Sequence, residues 1–263
     1  MDLGLRGKIA LVTAASRGLG RAIAEALAAE GASLVICARG TEALEEAGAA
    51  IMRRSAGEVE MVAADVATDQ GIARVWQHAR DRFGRVDILV TNAGGPPSGP
   101  FESLEWNAWQ QAVELTLRSA VELTRLVLPG MKERRWGRIL NVTSIAVKQP
   151  VDGLMLSNSL RAAVTGFART LANEVARYGV TVNNILPGYT RTERVEQLNA
   201  ATAAREGITV DDVSRRIEAQ IPMRRLGEPE EFAALAAFLA SEQAAYITAQ
   251  SIAVDGGWIR SVL

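Results

Sequence analysis

Thr13-Ala14-Ala15-Ser16-Arg17-Gly18-Leu19-Gly20 follows the apolar run Ile9–Thr13 and leads into Leu19–Glu30, where apolar residues return every three or four positions. A buried strand therefore passes into an amphipathic helix across a glycine-bearing turn. Glycines at such a turn let the backbone approach a pyrophosphate, and the helix N-terminus adds aimed N–H groups and the positive end of its dipole. A glycine pattern alone also describes an ordinary strand–helix turn, so the rest of the chain must support it.

Outward from this turn the same alternation repeats. The runs Ser33–Cys37, Glu58–Ala63, Val86–Thr91, Arg138–Thr143, Val180–Leu186 and Ser251–Val254 are short and rich in β-branched residues. Ala/Glu/Arg-rich stretches of helical period, such as Thr41–Arg54, separate them. Several runs are apolar at every position, as in a parallel sheet covered on both faces. The order predicts an α/β fold, a single doubly wound Rossmann-type domain over residues 1–263 with a seven-stranded parallel sheet. Asp65-Val66, Asn92-Ala93-Gly94 and Pro187-Gly188 fall at the ends of the third, fourth and sixth runs. Open α/β sheets bind ligands at those carboxyl ends, so the Gly94–Pro100 cluster reads as a ligand-facing loop rather than a domain boundary.

Composition narrows the partners. The 263 residues are 48% hydrophobic, enough for a large core, and carry a net charge of −1. That balance gives no general pull toward nucleic acid or an acidic membrane. Cys37 is the only cysteine and lies in an apolar run, so no disulfide framework and no metal cage is expected, and the thiol reads as inert core. The first residues lack the apolar stretch of a signal peptide, and no run approaches a membrane span. A cytoplasmic protein is expected.

The chain resembles the short-chain dehydrogenase/reductase family, in particular its 3-oxoacyl-acyl-carrier-protein reductase-like members. The resemblance runs nearly end to end and includes Gly84-Arg85-Val86-Asp87-Ile88-Leu89-Val90, Leu128-Pro129-Gly130-Met131 and the closing Tyr246-Ile247-Thr248 and Val254-Asp255-Gly256-Gly257. It implies that Thr13, Ser16, Arg17, Gly18, Leu19 and Gly20 serve the cofactor phosphates and that Asp65 and Val66 lie beside the adenine. It also implies that Asn92, Ala93 and Gly94 support the nucleotide and that Pro187, Gly188 and Thr192 lie over the nicotinamide. Ala14 departs from the family's first glycine; if the position needs positive φ, the methyl costs about 1 kcal/mol and about tenfold in cofactor affinity. Arg39 stands where an acid would bind the ribose of NAD, and Arg17 can converge on the same spot. Two guanidiniums suit a 2′-phosphate, so NADP(H) is favoured over NAD(H); solvated surface arginines are the alternative.

The catalytic stretch departs further. The resemblance places the family's serine at Ser144, after Asn141-Val142-Thr143, but its asparagine position holds Thr116, its tyrosine Ser157 and its lysine Arg161. Ser144, Ser157 and Arg161 are therefore the candidate catalytic residues of a degenerate tetrad. Residues 157 and 161 share one helix face. Arg161 can keep the positive charge and a ribose hydrogen bond, but arginine stays protonated and relays no proton. Tyr189 and Lys148 are candidate proton sources, a packing tyrosine and a solvated lysine being the alternatives, while His78 reads as solvated. Residues 190–221 occupy the family's substrate-lid position. Trp106 and Trp109 read as core or interface, and the helices Ala108–Arg134 and Ser157–Tyr178 as dimer-forming. The resemblance implies an oxidoreductase acting on a small carbonyl or alcohol substrate, a 3-oxoacyl thioester among the candidates, in a homodimer or homotetramer. The alternative is a catalytically silent nucleotide-binding protein with a regulatory or oligomer-partner role.

Overall fold

Seven parallel strands form one sheet in a computed structural model of the chain that describes residues 2–262. The strands are β1 (Ile9–Thr13), β2 (Ser33–Ala38), β3 (Val59–Ala63), β4 (Ile88–Thr91), β5 (Gly137–Val142), β6 (Val180–Pro187) and β7 (Ser251–Val254). Their spatial order is 3-2-1-4-5-6-7. β1 therefore pairs with β2 on one side and β4 on the other, with Leu11 opposite Val35 and Leu89. The chain reverses its direction of travel across the sheet between β1 and β4, which opens a crevice at their carboxyl ends.

The helices are α1 (Gly18–Ala29), α2 (Thr41–Met52), α3 (Asp69–Phe83), α4 (Trp106–Ala112), α5 (Ser119–Arg134), α6 (Met155–Val175), α7 (Glu193–Glu206), α8 (Val210–Gln220) and α9 (Pro229–Ala240). All five residues of β1 and all six of β5 are buried, because helices cover both faces. On one face Ile23 and Leu27 of α1 meet Phe232 and Ala236 of α9 over Val12 and Leu140. On the other, Val75, Leu123, Val127 and Leu171 close over Leu11, Leu89 and Ile139. Each of the larger of these side chains (Val, Leu, Ile, Phe) stabilises the fold by roughly 1.5–3 kcal/mol.

Local chemistry sets the ends. Thr68 caps α3 by accepting from the Gly71 N–H, and Gly84 ends it in the left-handed conformation that favours glycine. The segment expected as a lid divides into two helices because Gly207 ends α7 at φ 67° and Thr209 opens α8 with a reciprocal Thr209–Asp212 cap. The helix expected over Ala108–Arg134 begins at Trp106 and is interrupted by a π-helical turn over Val113–Arg118. Trp109 packs beside Leu156 and Leu160, but Trp106 is 72% exposed and so is not core. Among the described residues no helix is long and apolar enough to cross a membrane.

Candidate functional site

The glycine turn is built by close approach. A Cβ on Gly20 would overlap the Ala14 carbonyl oxygen, and Gly18 holds φ 53°; both positions need glycine. Ala14 itself sits at φ 49°, so its methyl group carries the strain anticipated from the sequence. Thr13 Oγ1 donates to the Asn92 carbonyl at 2.6 Å and accepts from the Asn92 N–H at 2.8 Å. That pair ties the end of β1 to the end of β4 and holds the mouth of the crevice. Arg17 stands at the N-cap of α1 without a side-chain cap, and no acid lies in the first turn. The helix's first N–H groups thus remain open to an anion.

A cavity of about 820 Å³ lies over this crevice, within the size range of small-molecule and cofactor sites. Ser16, Arg17, Arg39, Asp65, Val66, Ala93 and Gly94 line it, all named from the sequence, together with Gly95, Pro96 and Pro97 of the loop after β4. Asp65 Oδ1 accepts from the Ala67 N–H at 3.0 Å, which fixes that corner. Gln111, Ala112 and Leu115 complete the wall; no motif marks them, since they reach the cavity only by the path of α4 and the π-helical turn. Cys37 lies at the same end of β2, fully buried, and burial pushes its thiol up to about 12. An inert thiol follows.

The first turn of α7 roofs the opening. Thr192 caps the helix, and its methyl lies 3.4 Å from where a Cβ of Gly18 would stand. Glu193 Oε2 accepts from Arg17 Nη1 at 2.7 Å, and Arg194 Nη2 donates to the Pro96 carbonyl at 3.0 Å. Arg17 and Arg39 therefore share a cavity, but Arg17 is engaged by a carboxylate rather than free as expected. Gly188 packs so closely on Asp255 that a Cβ would sit 2.6 Å from the Asp255 Cα. Pro187 pairs with Val254 in the sheet. The segment after β6 is thus held against the end of β7.

The residues expected to be catalytic lie at the end of β5 and on α6. Ser144 follows β5, and its Oγ accepts from the Ala146 N–H at 3.1 Å. Ser157 and Arg161 stand one turn apart on α6, which packs against the turn carrying Ser144 and the π-helical turn carrying Thr116. Thr116 Oγ1 is buried without a hydrogen-bond partner among the described residues. Arg161 is only 8% exposed and donates from Nη1 to the Val142 carbonyl at 2.7 Å. Burial, with Arg194 nearby, lowers its guanidinium to about 10, still charged at neutral pH. Tyr189 packs edge-on against Trp258 at 5.8 Å in a cluster with Ile145 and Leu226. Burial raises its phenol, first through desolvation and then through Asp152, which weakens it as a proton donor. Lys148 is exposed. His78 is not merely solvated: its Nε2 lies 3.0 Å from Glu60 Oε2.

Residues 13–259 match the family described as Enoyl-(Acyl carrier protein) reductase. The chain is 39% identical over 256 residues to the 3-oxoacyl-acyl-carrier-protein reductase FabG of Vibrio cholerae, covering 97% of this chain and 98% of that protein. The chain belongs to the short-chain dehydrogenase/reductase family. Within that family it is also 37% identical to the D-beta-hydroxybutyrate dehydrogenase of Cupriavidus necator, over 97% of this chain and 99% of that one. The L-sorbose reductase of Gluconobacter frateurii, solved with NADPH and L-sorbose, superposes with a TM-score of 0.94 at 35% identity over the whole of both chains. The seven-stranded doubly wound sheet is thus the family's fold.

Proposed function

We propose that this member of the family is an NADP(H)-dependent oxidoreductase acting on a carbonyl or alcohol substrate. The observation that carries the reading is the glycine turn with its open helix N-terminus, set below a cavity whose rim holds Arg17 and Arg39. Phosphates suit the α1 N-terminus, and the two guanidiniums suit a ribose 2′-phosphate. Thr13, Ser16, Gly18, Leu19 and Gly20 shape the phosphate end, Asp65 and Val66 the adenine end, and Asn92, Ala93 and Gly94 the floor. Pro187, Gly188 and Thr192 take the nicotinamide end. The relative solved with NADPH supports the same assignment.

A nicotinamide bound there supplies hydride to a carbonyl carbon or takes it from an alcohol. The chain's own residues handle the oxygen. Because Ser144 Oγ accepts from Ala146 N–H, its own hydrogen is free to donate to the carbonyl oxygen. The fixed charge of Arg161 favours negative charge developing on that oxygen. Ser157 and Arg161 occupy the family's tyrosine and lysine positions and Thr116 its asparagine position, so the tetrad is degenerate. The proton then comes from water, with Ser157 as its contact on α6. Loss of a positioned acid costs about 10²–10⁴ in rate, which leaves a slow enzyme.

Residues 190–221 serve as the substrate lid, supported by the contacts of Thr192, Glu193 and Arg194 across the opening. A homodimer or homotetramer in the cytoplasm is proposed; the fully exposed Tyr246 and the small, apolar faces of α5 and α6 support the assembly. Screening NADPH oxidation over ketones and 3-oxoacyl thioesters tests the reading. Turnover that falls about 10²-fold or more in Ser144→Ala supports it. NADPH binding with no turnover across the panel favours the catalytically silent alternative instead.

A further inference from the structure

Two consecutive residues strap the first turn of α7 to opposite rims of the cavity. Glu193 Oε2 accepts from Arg17 Nη1 on the glycine turn at 2.7 Å, and Arg194 Nη2 donates to the Pro96 carbonyl after β4 at 3.0 Å. Arg17 and Pro96 both line the cavity, so the turn spans its mouth. The chain entering α7 is fixed as well. The Arg191 N–H donates to the Gly227 carbonyl at 2.8 Å and the Gly227 N–H to the Tyr189 carbonyl at 3.0 Å, while the Arg191 side chain pairs with Glu228.

The straps differ in what can undo them. Arg194 is half-buried, and its guanidinium lies 2.7 Å from where a Cβ of Gly95 would stand. The side chains of Arg17 and Glu193 are 62% and 56% exposed. Water and salt weaken such an exposed pair. A phosphate that accepts paired N–H bonds competes well with a carboxylate for the same guanidinium. The Arg17 strap is therefore the one that yields to an anion arriving in the cavity. The displaced Glu193 carboxylate then faces that anion, and like charges push the turn outward.

We infer that the Arg17–Glu193 pair is an autoinhibitory latch: Glu193 holds the guanidinium that a ribose 2′-phosphate would take, and a cofactor bearing that phosphate releases the first turn of α7, which stays tethered through Arg194 to Pro96. This rests on the NADP(H) reading above and adds to it a control of the lid by the cofactor. The coupling is reciprocal, so the factor by which the latch weakens NADPH binding is the factor by which NADPH favours the released turn. NADH carries no 2′-phosphate and leaves the latch shut.

Hydrogen exchange over residues 193–200, followed by mass spectrometry, tests this in protein saturated with NADPH and with NADH. In the wild type we expect exchange about two- to fivefold faster with NADPH, the range of one exposed ion pair. In Glu193→Gln the difference should vanish, and the NADPH Kd should fall by the same factor while that of NADH holds. Arg191→Gln, which breaks the neighbouring pair with Glu228, should keep the difference; its loss there too would assign the effect to general loosening and overturn the latch. Equal exchange with the two cofactors in the wild type, slower exchange with NADPH, or a difference that survives in Glu193→Gln would also overturn it. If neither cofactor binds, the NADP(H) reading fails separately, and adenosine 2′,5′-bisphosphate and AMP take their place. Faster exchange with the bisphosphate alone then upholds the latch, and any other result overturns it.

Discussion

Arg17 Nη1 lies 2.7 Å from Glu193 Oε2, so the glycine turn after β1 and the first turn of α7 are joined by an exposed ion pair across the cavity mouth. The carboxylate occupies the guanidinium that a ribose 2′-phosphate would need. Glu193→Gln frees Arg17, and calorimetry should show NADPH binding several-fold tighter while NADH changes little. Arg39→Ala should weaken NADPH by about tenfold, the loss of one charge-assisted contact. The NADPH–NADH difference should shrink as salt rises. Equal affinities for the two cofactors in the wild type would remove the arginines from this role.

Ala14 carries a methyl at φ 49°, in a region where L residues are strained by roughly 1–2 kcal/mol. Ala14→Gly relieves that strain, at some cost in unfolded-chain entropy. The variant should melt about 1–4 °C higher, the shift expected for roughly 1 kcal/mol in a chain of this size. NADPH should bind up to about tenfold tighter. A fall in melting temperature would show that the turn is relaxed with alanine.

Ser157 and Arg161 act as one unit if the tetrad has only lost its acid. Ser157→Tyr with Arg161→Lys should raise turnover of a simple ketone on the order of 10²-fold, with the double change exceeding the sum of the singles. Melting temperature is measured alongside, since a phenol forced into a filled space costs roughly 1–3 kcal/mol. A folded double variant that binds NADPH and gains nothing on any ketone would falsify the lost-acid reading.

Glu231 supports the segment after β6 from below. It takes both Nη atoms of Arg225 at 2.6 and 2.7 Å and caps α9 through the Glu228 N–H at 2.8 Å. Gly227, in the same turn, bonds Tyr189 and Arg191. The Arg225 hydrogen bond first, then the Glu228 N–H, hold the carboxyl down at about 2 against an ordinary 4.5. A depressed carboxyl stabilises the fold above the unfolded value and stops doing so as pH falls through the folded one. Glu231→Gln should therefore melt lower than wild type at pH 7, and the gap should narrow as pH drops from 4.5 toward 2. A gap independent of pH would assign the effect to shape rather than charge.

Much of this protein is legible in the chain because periodicity and glycine chemistry are local. Buried parallel strands must be apolar at every position, so the runs from Ile9–Thr13 to Ser251–Val254 announce themselves. Gly18 and Gly20 are required by positive φ and by contact with the Ala14 carbonyl, constraints a sequence expresses directly. The order of strands alone puts Asp65, Asn92 and Pro187 at the carboxyl ends of the strands. What the chain alone left open is set by contacts between residues far apart in sequence. Arg17 meets Glu193 across 176 positions, and Arg194 reaches the Pro96 carbonyl across 98. The π-helical turn at Val113–Arg118 carries no sequence signal, since its extra residue is fixed by packing against α6. Tyr189, next to Pro187-Gly188 in sequence, is half-buried by packing against Trp258 and the cluster with Leu226. Propensity and spacing fix which elements form and where they end; side-chain direction and charge pairing follow from the packed whole.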